Sequence, residues 1–157
     1  MLSTQRSVSL DAWVRLLQAH AASTRALSGS LLATHGLTIN DYEALMRLSR
    51  ADEGRMRRVD LSEELLLTAS GITRLLDGLE AAGYVDRAAC SSDRRVVYAV
   101  ITDAGRDKLE EAAESHFAEV RALFEERFDA DELKQLADLL GRLPGAENAV
   151  GEDCNVG

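Results

Sequence analysis

Between residues 47 and 95 every basic side chain is an arginine, nine in all, set against nine aspartates and glutamates. Guanidinium groups are planar, permanently charged donors that match phosphates and base edges through paired hydrogen bonds. Two of them, Arg94 and Arg95, follow Asp93 in the polar run Ser91-Ser92-Asp93-Arg94-Arg95. Upstream, Ser70, Thr73 and Arg74 recur at i, i+3 and i+4, so one helix face would carry two hydroxyls and a guanidinium. Groups of this kind bind nucleic acid. They do not assemble a catalytic centre: His20, His35 and His116 fall on separate segments, and no nucleophile stands beside a base in a known motif. No paired-carboxylate motif and no Cys/His cluster with metal-ligand spacing appears either. The residues therefore predict a binding protein with no enzyme activity, cofactor or metal.

The net charge of −9 speaks against nucleic acid until it is located along the chain. Residues 1–46 carry three basic and three acidic groups, whereas residues 96–157 carry six basic and fifteen acidic ones. The whole excess thus sits in the last third, and a DNA face belongs in the arginine-rich middle. No apolar run approaches the ~20 residues a membrane span needs. No basic stretch followed by an apolar one marks the start as a secretion signal. Cys90 and Cys154 are 64 positions apart, with no CxxC pairing. The expectation is a cytoplasmic, reduced protein without a membrane segment.

The elements that must position these residues follow from periodicity. Leu10, Trp13, Val14, Leu17, Ala21, Leu27, Leu31 and Leu32 keep helical spacing up to a stop at Gly36. A second helix, capped by Thr38 or Asn40, places Tyr42, Leu45, Met46 and Leu48 inward and fades at a polar turn ending in Gly54. The basic stretch 55–59 has the length of a short edge strand. Its Arg55, Arg57 and Arg58 serve either DNA contact or protection of that edge from pairing. A short helix opening at Asp60 or Ser62 precedes one capped by Thr68, with Ile72, Leu75, Leu76 and Leu79 on its apolar face and Gly83 at its end. Residues 84–88 and 96–101 read as a hairpin. Thr102 then caps a long helix to about Phe128, and Asp129 or Asp131 starts a last one to Leu143 before Pro144-Gly145. Gly71 and Gly78 weaken the Thr68-capped helix by ~1 kcal/mol each relative to alanine.

This order, helix, short helix, turn, helix and hairpin, is that of a winged helix-turn-helix, a mostly α fold with a small β-hairpin wing. A helix of about 14 residues fits the ~12 Å major groove, and a hairpin tip can bring arginines to flanking phosphates or the minor groove. The residues Ser92-Asp93-Arg94-Arg95-Val96-Val97-Tyr98-Ala99-Val100-Ile101-Thr102-Asp103-Ala104-Gly105 resemble the wing signature of the MarR (multiple antibiotic resistance regulator) family: Asp-x-Arg, a strand, then Leu/Ile-Thr-x-x-Gly. Thr73-Arg74 followed by Leu79-Glu80 and Gly83-Tyr84-Val85 resembles the family's recognition-helix end, and Leu37-Thr38 with Leu45 its second-helix opening. The resemblance spans about residues 10–143.

It implies that Ser70, Thr73 and Arg74 face the major groove, that Arg95 enters the minor groove, and that Arg94 meets phosphate. Asp93 would hold Arg95 in place rather than touch DNA, which would repel it. It also implies one chain in which helices 10–36 and 102–143 form a homodimer around a DNA-binding lobe, 37–101, followed by a flexible acidic tail, 144–157. The dimer would set two recognition helices one turn apart on a pseudo-palindromic operator. Ligands of similar proteins sit between the dimerisation helices and the lobe. There Arg15, on a row with Ala19, Ala22 and Ala26, is a candidate clamp for a carboxylate, with Trp13 as stacking surface and His20 as hydrogen-bond partner. Arg15 and His20 lie about 140° apart on the helix, so they would close on a ligand from opposite walls or from two protomers. Arg15 paired with Asp11, and His20 within a dimer core, are the competing placements. The effector expected is a small aromatic acid or phenol, as in regulators of protocatechuate breakdown, and the protein a repressor that this ligand releases from double-stranded DNA. Two alternatives stand beside it: a regulator answering to oxidation at Cys90, where Arg87 is the one neighbour expected to lower the thiol pKa, and a winged-helix interaction module without DNA.

Overall fold

The structure, a computed structural model, describes residues 7–146. Six helices and three short strands follow one another as α1 (Val8–His35), α2 (Ile39–Arg50), β1 (Arg55–Arg57), α3 (Arg58–Glu64), α4 (Ala69–Ala81), β2 (Val85–Ala89), β3 (Val97–Ile101), α5 (Asp103–Glu125) and α6 (Ala130–Leu140). Local chemistry sets most of the boundaries. Gly36, at φ 70°, ends α1 with its N–H on the Leu32 carbonyl. Thr38, rather than Asn40, caps α2: its hydroxyl accepts from the Asp41 N–H at 3.1 Å while Asp41 Oδ2 accepts from the Thr38 N–H at 2.8 Å. Asp129 and Glu132 make the same reciprocal box at α6, which ends at Leu140, three residues short of the predicted stop.

Helix α3 departs from the prediction. It begins at Arg58, with no side-chain cap, because Asp60 is drawn back to Arg57 in a two-bonded pair (2.7 and 2.9 Å) instead of capping a later start. Leu66 follows at φ 54° and stands 92 % exposed in the turn before α4, a conformation that costs an L-residue ~1 kcal/mol or more.

The chain falls into two compact units, Met1–Phe117 and Ala118–Gly157. In the first, β3 is the central strand of an antiparallel sheet ordered β1-β3-β2, with Met56 opposite Ala99 and Arg87 also opposite Ala99 from the other side. Leu45, Leu48, Leu61, Ile72, Leu76, Leu79, Val85 and Ile101 are buried together, so α2, α3, α4 and the sheet share one core. From α1 that core takes only Leu31. The end of α1 is tied to α5 by a 2.6 Å hydrogen bond between His35 Nε2 and Ser115 Oγ. In the second unit α6 has no buried residue, and Phe124 lies near Phe128 with ring centroids 6.5 Å apart. Pro144 and Gly145 follow in turn conformation, and the remainder of the predicted acidic tail, 147–157, lies outside the described residues. Among the described residues no helix is long and apolar enough to cross a membrane, and no group of three His, Cys, Asp or Glu is placed to hold a metal.

Candidate nucleic-acid interface

Helix α4 is fixed at its start by Thr68, whose hydroxyl accepts from the Gly71 N–H at 3.1 Å and lies 3.2 Å from Ser70 Oγ. Ile72, Leu76 and Leu79 anchor it in the core, leaving Ser70, Arg74 and Asp77 exposed. Thr73 is half-buried. Its hydroxyl donates to the Ala69 carbonyl at 2.8 Å and accepts from Arg58 Nη2 at 2.6 Å. The partner is fifteen positions upstream, a tertiary contact that helix-face periodicity does not disclose.

The wing is the β2–β3 connection. The Val96 N–H donates to the Asp93 carbonyl at 3.1 Å, which closes a four-residue turn, and the Cys90 N–H donates to the Val96 carbonyl at 3.1 Å. Asp93 Oδ1 accepts from the Arg95 N–H at 3.0 Å and from Arg95 Nε at 3.3 Å. Asp93 therefore shapes the turn and steadies the base of the guanidinium, while the Arg95 side chain stays 92 % exposed. Arg94 is exposed beside it.

Ion pairing divides the nine arginines of the middle segment. Arg47 pairs with Glu64 at 2.8 Å, Arg55 with Glu53 at 2.5 Å, Arg57 with Asp60, and Arg95 with Asp93 at 3.3 Å. Arg87 on β2 reaches Glu80 at 2.6 Å and also Asp77, so it straps the wing strand to α4. Pairs this exposed add little stability, about 0–1 kcal/mol, and act mainly on orientation. Among the described residues Arg50, Arg58, Arg74 and Arg94 have no carboxylate within ion-pair distance. The positive charge left uncompensated thus lies mainly on and beside α4 and at the wing tip, which a net charge of −9 conceals.

A three-stranded wing beside an exposed, capped helix invites comparison with known regulators. The MarR family model matches residues 35–96. The HTH-type transcriptional repressor YetL of Bacillus subtilis is 32% identical over 114 residues, which are 71% of this chain and 68% of the relative. AbsC, a MarR family transcriptional regulator from Streptomyces coelicolor, is 34% identical with a TM-score of 0.72, covering 82% of this chain and 86% of its own. The chain belongs to the MarR family. Another member, Sco3205 from S. coelicolor, solved in complex with DNA, is 26% identical with a TM-score of 0.74, covering 82% of this chain and 80% of its own. The relatives are transcriptional regulators, and this MarR protein is one of them rather than an enzyme.

The remaining predicted residues lie on α1 and at the wing base. Trp13, Arg15 and His20 are all exposed on the chain. Arg15 Nε donates to Asp11 Oδ2 at 2.7 Å, and that carboxylate holds the guanidinium more firmly in its charged form. None of the three lines the open groove of about 450 Å³ between the start of α2 and α4, which has Leu37, Leu75, Leu79 and Arg74 among its walls.

Cys90 corrects an expectation. Its thiol is pushed below its ordinary value, but not by Arg87, which is occupied by Asp77 and Glu80. The Ser92 hydroxyl, 3.1 Å away, is the main cause, followed by the backbone N–H groups of Ser92 and Asp93. In a Cys154→Ser background, the alkylation rate of Cys90 by iodoacetamide should reach half its plateau at a pH below that of a free cysteine peptide. Ser92→Ala should move the midpoint upward. A midpoint unchanged by Ser92→Ala would mean the hydroxyl does not set the thiol's acidity.

Proposed function

We propose that this MarR regulator is a homodimeric, DNA-binding repressor that a small aromatic carboxylate or phenol releases from a pseudo-palindromic operator. The observation that carries the DNA reading is the exposed arginine set on α4 and the wing. Arg74 stands exposed beside Ser70 on a rigidly capped helix, and Arg94 and Arg95 project from a turn that Asp93 organises. Arg74 and Ser70 are assigned to base edges in the major groove, Arg95 to the minor groove and Arg94 to phosphate. The solved DNA complex of Sco3205 and the repressor name of YetL support the same reading.

The effector seat is assigned to Trp13, Arg15 and His20. Arg15 already has an acid, so a ligand carboxylate must take the place of Asp11 or share the guanidinium with it. A guanidinium has donors for two carboxylates, which makes sharing the cheaper course. To act, the ligand must bind the DNA-incompetent arrangement better: a 100-fold loss of operator affinity needs ~2.7 kcal/mol of coupling.

The experiment is a pair of titrations. Binding to duplex DNA should weaken steeply with salt. In a thermal-shift panel of aromatic carboxylates one acid should raise the melting temperature of the protein, and Arg15→Ala should abolish that rise. The same acid should then release the protein from DNA. Salt-independent or absent DNA binding would leave the interaction-module reading. A full panel without any shift would remove Arg15 as the clamp and turn attention to the acidified Cys90 thiol as the signal site.

A further inference from the structure

We propose that Arg58 binds a DNA phosphate beside the recognition helix, and that Thr73 acts as the positioning residue that holds it there rather than as a reader of bases. The inference rests on the DNA-binding reading above and adds a contact to it. Arg58 is the first residue of α3, yet its guanidinium leaves its own helix and reaches the first turn of α4. Nη2 donates to Thr73 Oγ1 at 2.6 Å and lies 3.5 Å from the Ala69 carbonyl. The Thr73 hydroxyl has one proton, and it is committed to Ala69 at 2.8 Å. Thr73 therefore has no proton left to donate to a phosphate, or to the N7 and O6 acceptors of guanine.

Arg58 is in the opposite state. Its neighbours Arg55 and Arg57 are neutralised by Glu53 and Asp60, whereas Arg58 meets no carboxylate within ion-pair distance among the described residues. A guanidinium offers five N–H donors, so the bond to Thr73 leaves most of them for another acceptor. The two oxygens it does meet, a hydroxyl and a carbonyl, orient it without cancelling its charge. Held half-buried on the same stretch of α4 that exposes Ser70 and Arg74, it is a fixed cation at the edge of the proposed groove-reading face. Side chains that meet phosphate place a protein on the duplex and carry no sequence information themselves.

The test uses the full chain and a pool of random-sequence 30-base-pair duplexes, with a duplex selected from that pool as the second probe. Wild type, R58Q, R58K, T73V, T73S and R58Q/T73V are titrated over a range of salt. R58Q should reduce the slope of log K against log salt by about 0.9 on both probes, since one phosphate contact is lost. R58K should keep the slope, because a lysine still meets phosphate as a point charge. T73V should shift the slope in the same direction as R58Q and T73S should not. The double variant should match R58Q, and the base preferences selected by T73V should equal those of wild type. A wild-type slope in R58Q overturns the phosphate assignment. A change of base preference at one position in T73V, additive with R58Q, overturns the positioning role. A wild type with no salt-dependent binding to either probe fails differently, since it removes the DNA reading itself.

Discussion

Gly105→Ala is expected to lower the unfolding free energy by about 3 kcal/mol, the upper part of the range for overpacking, and to lower the melting temperature by many degrees. The reason lies where the wing meets α5. Thr102 closes the last strand with three bonds: its N–H donates to the Tyr84 carbonyl at 3.0 Å, its hydroxyl donates to the Gly83 carbonyl at 2.7 Å, and the same hydroxyl accepts from the Gly105 N–H at 3.0 Å. The first turn of α5 is thereby pressed onto the chain entering β2. A Cβ on Gly105 would run into the Tyr84 carbonyl oxygen and lie 2.9 Å from Ile101 Cγ1. The first obstacle is backbone already engaged by Thr102, and the second is a buried side chain, so neither can swing aside. Gly78→Ala is the matched control. No atom lies within 4 Å of its built Cβ, and the helix gains alanine's propensity, so stability should rise by up to ~1 kcal/mol. Chemical denaturation of both variants checks the pair. Equal, small effects would mean that the junction yields and that the Thr-x-x-Gly spacing has no packing cause.

That junction was legible as a motif and not as a mechanism. The spacing of Thr102 and Gly105 stands in the sequence, but the carbonyl that forbids a side chain belongs to Tyr84, twenty-one positions earlier. The same division runs through the molecule. Gly36, Thr38, Thr68 and Asp129 act within four residues of themselves, so α1, α2, α4 and the start of α6 could be placed from local chemistry. The start of α3 could not, because Asp60 had two uses, cap or partner of Arg57, and the choice depends on where the edge strand ends. Leu66 at positive φ was equally hidden, since nothing in three consecutive leucines marks the middle one for a left-handed turn. In the candidate site the arginine positions were legible and their roles were not. Whether an arginine is a strut or a free cation depends on acids brought near by folding, as Arg87 shows with Asp77 and Glu80, and Arg58 with none among the described residues. The Cys90 expectation went astray for the same reason: the group that decides its chemistry, a turned-back Ser92, is set by turn geometry, and the contact of Thr73 with Arg58 is likewise a tertiary one.

The other large effect expected is on assembly: Leu17→Glu should convert the proposed dimer to monomers and weaken binding to a two-half-site duplex by at least about 100-fold, the low end of what linking two binding modules confers. Along α1, Leu10, Trp13 and Leu17 are 47%, 56% and 47% exposed and fall within an arc of about 60°, an apolar stripe left largely uncovered among the described residues. Half-burying three large side chains in each of two copies is worth about 6 kcal/mol at ~1 kcal/mol each. Association costs about 4–15 kcal/mol, so this stripe is needed but not sufficient. Exposed Leu32, Phe117, Phe124, Phe128, Leu139 and Leu143 supply the apolar surface that must be covered as well. A glutamate at 17 would place two like charges across a two-fold axis in a desolvated seam, costing several kcal/mol per unpaired charge. Sedimentation should then show a single-chain mass. The concentration dependence of the melting temperature, expected in wild type because subunits stabilise one another by mass action, should vanish. The winged-helix core takes only Leu31 from α1, so the near-ultraviolet signature of its tyrosines should survive. Each monomer would keep one recognition helix and one wing, and with them the weak, salt-sensitive binding of a half-site. If Leu17→Glu remains dimeric with full operator affinity, the α1 stripe is not the seam between subunits, and the proposed spacing of the two recognition helices must be rebuilt on another face.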